Sequence, residues 1–136
     1  MDRRAVQRWL DRYVQGWDTY DPDVIGDLFA EEAVYRYHPY DEGEAVVRGR
    51  DDIVRSWIAP DGSESDRDEP GTYEARYEPY AVEGDRAVAV GTSTYFKDAS
   101  RREVDRVYHN VFLLRFDADG RCSEFVETFI QAPPGQ

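Results

Sequence analysis

The chain has 136 residues, 40% of them hydrophobic, with ten Tyr, six Phe, three Trp and a formal net charge of −12. That length suits one domain over residues 1–136, and the apolar content is enough for a core. The acidity excludes the basic face that a nucleic-acid binder needs to displace counterions, and it disfavours an anionic membrane.

No apolar run approaches the roughly 18 residues of a membrane span. Met1-Asp2-Arg3-Arg4 leads into an amphipathic pattern rather than a signal-peptide core, so the cytoplasm is the expected location. The single cysteine, Cys122, forms no internal disulfide and no Cys-rich zinc site.

Val6, Trp9, Leu10, Tyr13, Val14 and Trp17 fall at helical spacing, which predicts a first helix over about residues 2–17. Asp21-Pro22-Asp23 supplies an N-cap, a Pro at the first helical position and an acid in the first turn of a short second helix. That helix is expected to bury Val24, Ile25, Leu28 and Phe29. Ala33 to His38 reads as a strand stopped by Pro39, residues 41–44 as a polar loop, and Val46-Val47-Arg48 as a short strand. Gly49 precedes a third helix, Arg50 to Ile58, with Ile53, Val54, Trp57 and Ile58 inward. Residues 59–71 are a loop by composition, either a mobile acidic surface segment or a lid over a pocket.

Strands follow. Tyr73, Ala75 and Tyr77 alternate with Glu74, Arg76 and Glu78, so one face is buried and the other wet. After the Gly84-Asp85 turn, Val88, Val90, Thr92, Thr94 and Phe96 alternate with Ala87, Ala89, Gly91, Ser93 and Tyr95. Another strand spans about Glu103 to Phe116, and Asp117-Ala118-Asp119-Gly120 turns it into the last, Cys122 to Gln131. Three helices followed by long antiparallel strands predict an α+β fold, helices packed on a curved antiparallel sheet.

Arg12-Tyr13-Val14, Leu28-Phe29-Ala30-Glu31-Glu32-Ala33, Gly49-Arg50-Asp51-Asp52-Ile53 and Phe116-Asp117-Ala118-Asp119-Gly120-Arg121 resemble segments of ketosteroid isomerases and SnoaL-like polyketide cyclases. The element order is similar to the nuclear transport factor 2-like superfamily over nearly the whole chain. The resemblance implies a cone-shaped α+β barrel whose sheet wraps the long helix, with a pocket open at one end. These motifs are mostly structural and speak to fold more than to activity. By the same resemblance Tyr13 falls where isomerases keep a tyrosine that donates to a developing enolate oxygen. His38, or Tyr37 without a one-residue insertion, takes the place of the catalytic aspartate. Phe112 stands where a second, protonated acid would be, so half of the isomerase oxyanion hole is missing.

Glu127 lies between Phe125 and Phe129 on one strand face, the face that the resemblance turns inward. A carboxylate among phenyl rings has a raised pKa and suits general acid–base work. The alternative is that Val126, Thr128 and Ile130 face inward and Glu127 faces water. His38 suits proton transfer at a strand end, or is a plain surface histidine. His109 shares the face of Val111 and Leu113, the outer one by the resemblance, unless a bulge brings it in. Glu127, His38 and Tyr13 are therefore the candidate catalytic residues.

Tyr108 and Asn110 are candidate donors to a substrate oxygen, and Arg106 a receptor for an anionic group. Trp17, Tyr35, Tyr37, Trp57, Phe112, Phe125 and Phe129 are the expected pocket wall, though such rings are more often core. His38, Asp41, Glu42 and Glu44 hint weakly at a metal site but lack a recognisable spacing. No phosphate loop, dinucleotide fingerprint or Ser-His-Asp signature is present, and no metal or cofactor is implied.

Three functions remain open. One is a cofactor-free isomerase, cyclase or dehydratase acting on a small hydrophobic hydroxy or keto compound. Another is a binding module with the same pocket. The third is a structural dimer whose pocket is filled with side chains. A homodimer is expected in each case, because Val107, His109, Val111 and Leu113 with Val126 and Ile130 make an apolar outer face.

Overall fold

Asp2 opens the first helix by accepting a hydrogen bond from the Ala5 N–H at 2.8 Å. The computed structural model describes residues 1–63 and 68–134. Helix α1 (Arg3–Thr19) buries Val6, Trp9, Leu10 and Tyr13, the stripe that the spacing predicts, and ends at Tyr20 in the left-handed conformation. Asp21 caps α2 (Pro22–Leu28) through the Asp23 N–H. The Trp9 indole then donates to the Leu28 carbonyl at 2.9 Å, fastening the end of α2 to α1.

Strand β1 (Phe29–Arg36) begins directly after α2, four residues before the expected start at Ala33, and stops short of His38. Its register shifts between Phe29 and Val34, and Glu31 and Glu32 are exposed there. That irregularity breaks the two-residue alternation by which a strand is recognised. A short 3-10 turn at Gly43–Ala45 leads to β2 (Val47–Arg48), and Gly49 leads into α3 (Arg50–Ile58). Gly16 of α1 lets α3 approach, since a Cβ there would lie 3.1 Å from the Trp57 ring.

The remaining strands are β3 (Tyr73–Glu83), β4 (Arg86–Phe96), β5 (Val104–Phe116) and β6 (Cys122–Gln131). They form one sheet in the order β2-β1-β6-β5-β4-β3. All neighbours are antiparallel except β1 and β6, which run parallel, so the sheet is mixed rather than wholly antiparallel. The sheet does not close into a barrel: β2 and β3 are its edges.

The three helices cover one face, with Trp9, Tyr13, Phe29, Trp57, Phe112 and Phe125 at the centre of the core. Edge-on and stacked ring pairs, such as Tyr13 on Phe125 at 5.5 Å, fill it. Among the described residues no helix is long and apolar enough to cross a membrane. Residues 64–67 of the long loop lie outside the described residues, and with them the lid reading of 59–71.

Candidate functional site

On β6 the pleat turns Phe125 into the core, fully buried, while Ile130 on the opposite face is 71% exposed. Glu127 shares the direction of Phe125 and Phe129 and reaches a cavity of about 200 Å³ between α1 and the sheet. Its side chain is half-buried at the wall of that cavity. Burial pushes the carboxyl up to about 7, against the pull of a Tyr35 hydrogen bond and the nearby His38. A carboxyl that titrates near neutral pH is well suited both to take and to return a proton.

Tyr35, on β1, is what holds Glu127. Its hydroxyl donates to Oε2 at 2.8 Å, bridging residues 92 positions apart. Tyr13, Tyr108 and Asn110, the donors expected in the pocket, do not make that bond; the β1–β6 pairing of Tyr35 with Phe125 brings the Tyr35 ring alongside instead. Oε1 makes no hydrogen bond among the described residues. Tyr35→Phe is expected to raise the Glu127 pKa by about one further pH unit, the order set by losing a hydrogen bond to the charged form. A ¹³C-carboxyl NMR titration, assigned with Glu127→Gln, reads this directly; an unchanged midpoint would remove Tyr35 from the tuning.

Of the expected site residues, Tyr13, Trp17, Tyr37, Arg106, Tyr108, Asn110 and Phe129 line the same cavity as Glu127. Tyr35, Trp57, Phe112 and Phe125 do not. They stand behind the wall in the buried core, where Trp57 stacks under Trp17 at 4.1 Å and Phe112 packs on Tyr77 at 4.7 Å.

His38 is also off the wall. Its Nδ1 lies 3.1 Å from Asp41 Oδ1, its ring stacks on exposed Tyr40, and it is 5.7 Å from the Phe129 ring at the rim. Asp41 accepts the N–H groups of Tyr37 and His38 with its other oxygen, so it caps this turn. His38 therefore acts on Glu127 as a nearby charge, not as a contact. His109 lies on the outer face, opposite Thr92 and Ile130, and is exposed.

Tyr73, Tyr77, Ser93 and Tyr95 complete the wall and were not singled out from sequence. Tyr73 and Tyr77 carried a signal in their alternation. The face of β4 carried a misleading one. Its β-branched residues point outward, while Ala87, Ala89, Gly91 and Ser93 point in, where the rings of Tyr77 and Phe112 on the flanking strands need room.

Ser93 Oγ donates to Asn110 Oδ1 at 3.2 Å, which commits that oxygen and leaves the amide NH₂ as the group Asn110 offers a ligand. Burial, with the Glu127 charge adding to it, pushes the Tyr13 and Tyr35 phenols well above their ordinary range; burial takes Tyr77 to about 12. These hydroxyls stay protonated and serve as donors. The Arg106 guanidinium lies 4.2 Å over the Tyr95 ring and pairs with Asp68 and Asp105.

A helix-covered open sheet with a few polar groups in an aromatic pocket defines an α+β domain of the nuclear transport factor 2-like kind. The profile of the SnoaL-like domain matches residues 10–125, and the chain belongs to that family. An NTF-2 like protein of unknown function from Burkholderia xenovorans LB400 is similar in structure, with a TM-score of 0.64 at 18% identity over 96% of this chain and 89% of that one. A candidate ketosteroid isomerase from Kribbella flavida DSM 17836 has a TM-score of 0.63 at 19% identity, over 98% of this chain and 86% of that one. None of the curated proteins matches this chain.

Proposed function

We propose that the protein moves a proton on a small hydrophobic hydroxy or keto compound with its own side chains, as an isomerase, cyclase or dehydratase does. The observation that carries this reading is a glutamate on a cavity wall, with a pKa of about 7 and one oxygen held by Tyr35. Glu127 takes a proton from carbon or oxygen and returns it. Tyr13 and the Asn110 amide donate to the substrate oxygen that gains charge. Phe112, an apolar ring in place of an isomerase's second acid, points away from ketosteroid isomerisation itself. The open cavity speaks against a purely structural domain filled with side chains.

A panel of small cyclic and aryl ketones in D₂O tests this by proton NMR. At least one is expected to lose its α-protons faster with the wild-type protein, and Glu127→Gln is expected to slow that exchange by about 100-fold or more, the usual contribution of a positioned base. Equal exchange by both proteins would remove Glu127 from the chemistry.

We also propose a homodimer through the outer sheet face. Val111, Leu113 and Ile130 are 41%, 43% and 71% exposed there, a continuous apolar patch across β5 and β6. Light scattering is expected to give a particle of twice 15.8 kDa. A monomer at micromolar concentration would exclude this.

A further inference from the structure

The cavity has two chemically different ends. Glu127 pairs across the sheet with Phe112. Arg106 lies six positions earlier on β5, about 20 Å of strand backbone at roughly 3.3 Å per residue. Between them the wall is mostly phenol and indole. Among the described residues on that wall, Arg106 is the one cation, in a chain with a net charge of −12.

Arg106 is not waiting in water. Its Nη2 lies 3.1 and 3.2 Å from the two oxygens of Asp68, its Nη1 lies 2.7 Å from Asp105, and the Tyr95 ring backs its plane. Asp105 precedes Arg106 on the same strand and moves with it. Asp68 comes from the loop before β3 and is 40% exposed, so it is a carboxylate brought from elsewhere to this guanidinium. Beside this end, Tyr73 buries its hydroxyl against that of Tyr77. Its ring packs on Tyr95 at 5.3 Å.

Size narrows the ligand further. A 200 Å³ cavity lies below the roughly 300–1,000 Å³ of sites for drug-sized molecules, and just above the roughly 150 Å³ that holds benzene. One ring with a short side chain fits; a four-ring compound does not.

We propose that the pocket takes a one-ring carboxylic acid, and that its carboxylate replaces Asp68 on Arg106 while its ring lies along the phenol wall toward Glu127. This rests on the reading of the cavity as a small-molecule site and names the substrate class. Asp68 is then a built-in competitor: it keeps the guanidinium paired when the pocket is empty and is displaced by the ligand. Neutral compounds of the same shape cannot displace it, because they offer no charge in exchange. The pocket thereby discriminates by charge at one end and does its chemistry at the other.

Trp17 stands on the wall, so its fluorescence reports occupancy. The probes are 3-phenylpropanoate and its neutral amide, titrated at fixed ionic strength. The acid is expected to bind at least about tenfold tighter than the amide, the order of one charge-assisted pair. Arg106→Gln should reduce the acid to the level of the amide. Asp68→Asn should bind the acid several-fold tighter and the amide as before. Glu69→Gln removes the same charge next door without touching Arg106 and should change neither. Equal binding of acid and amide, or no gain in Asp68→Asn, overturns the proposal even if Arg106→Gln is poorly folded. Binding is read without turnover, so a protein that prefers the acid but exchanges no protons would keep this proposal and sink the proton-transfer reading.

Discussion

Glu127→Gln is expected to raise the free energy of unfolding by about 3 kcal/mol at pH 8 and by almost nothing at pH 4. An unfolded glutamate titrates near 4.5, and Glu127 in the folded protein near 7. Between those values the native state holds a proton that the unfolded chain has released. Stability from this group is therefore fully present below about 4.5, declines as the pH rises, and is lost above about 7. The gap of two and a half pH units, at about 1.4 kcal/mol each, sets the size of the effect. Gln has the shape of the protonated acid, keeps a carbonyl oxygen for the Tyr35 hydroxyl and carries no charge to desolvate. Its stability should follow the wild type at low pH and exceed it at high pH. Urea unfolding of both proteins at pH 4, 6 and 8 checks this, and the difference between them cancels the surface carboxylates they share. A difference that does not grow with pH would mean that the cavity solvates Glu127 well, and the case for a tuned base would go with it.

That cost is a reason to read Glu127 as functional. A buried carboxylate weakens the fold at the pH where it is ionised, and a neutral residue would fit among Tyr35, Phe125 and Phe129 equally well.

How much of this could be read from the chain depends on the range of the interaction. The α1 stripe and the Asp21 cap follow from spacings of two to four residues, and the structure has them where the spacing puts them; two-residue spacing puts Glu127 on the face of Phe125 and Phe129, but that this face turns inward is what the resemblance implied. The Tyr35–Glu127 bond joins strands that are far apart in the chain and meet through the one parallel join of the sheet, which no local pattern marks. The Asp68–Arg106 pair depends on where a loop lands, and a loop of Ser, Asp, Glu and Gly carries no periodicity to place it. His38 has the chemistry of a proton carrier, yet the Asp41 turn holds it at the rim, and turn geometry is legible only once the loop is built. The face of β4 was ambiguous because small residues mark an inner face only when large neighbours are known to lie over them.

Gly91 shows that last point at its sharpest, and Gly91→Ala is expected to cost about 3 kcal/mol or more, among the largest effects of a single substitution. A Cβ at this position would collide with the Arg76 carbonyl oxygen and would lie 2.8 Å from the Tyr77 Cα and 2.5 Å from Cδ1 of its ring. Two of these three atoms are backbone, so no side-chain rotation relieves the contact; β3 must move away from β4. Gly91 pairs with Tyr77 on one side and with Asn110 on the other, and both of these line the cavity. Displacing β3 would therefore carry Tyr73 and Tyr77 outward as well as breaking ladder hydrogen bonds. Gly26→Ala is the matched control. It adds the same methyl group in α2, where the nearest atoms are 3.7 Å away, and should stabilise by up to about 1 kcal/mol through helix propensity. Thermal melts of the two variants should move in opposite directions, with Gly91→Ala also losing the Trp17 fluorescence response to 3-phenylpropanoate. A Gly91→Ala protein as stable as the wild type would mean that β3 gives way easily at this edge, and that the absence of a side chain at position 91 is not what shapes the pocket.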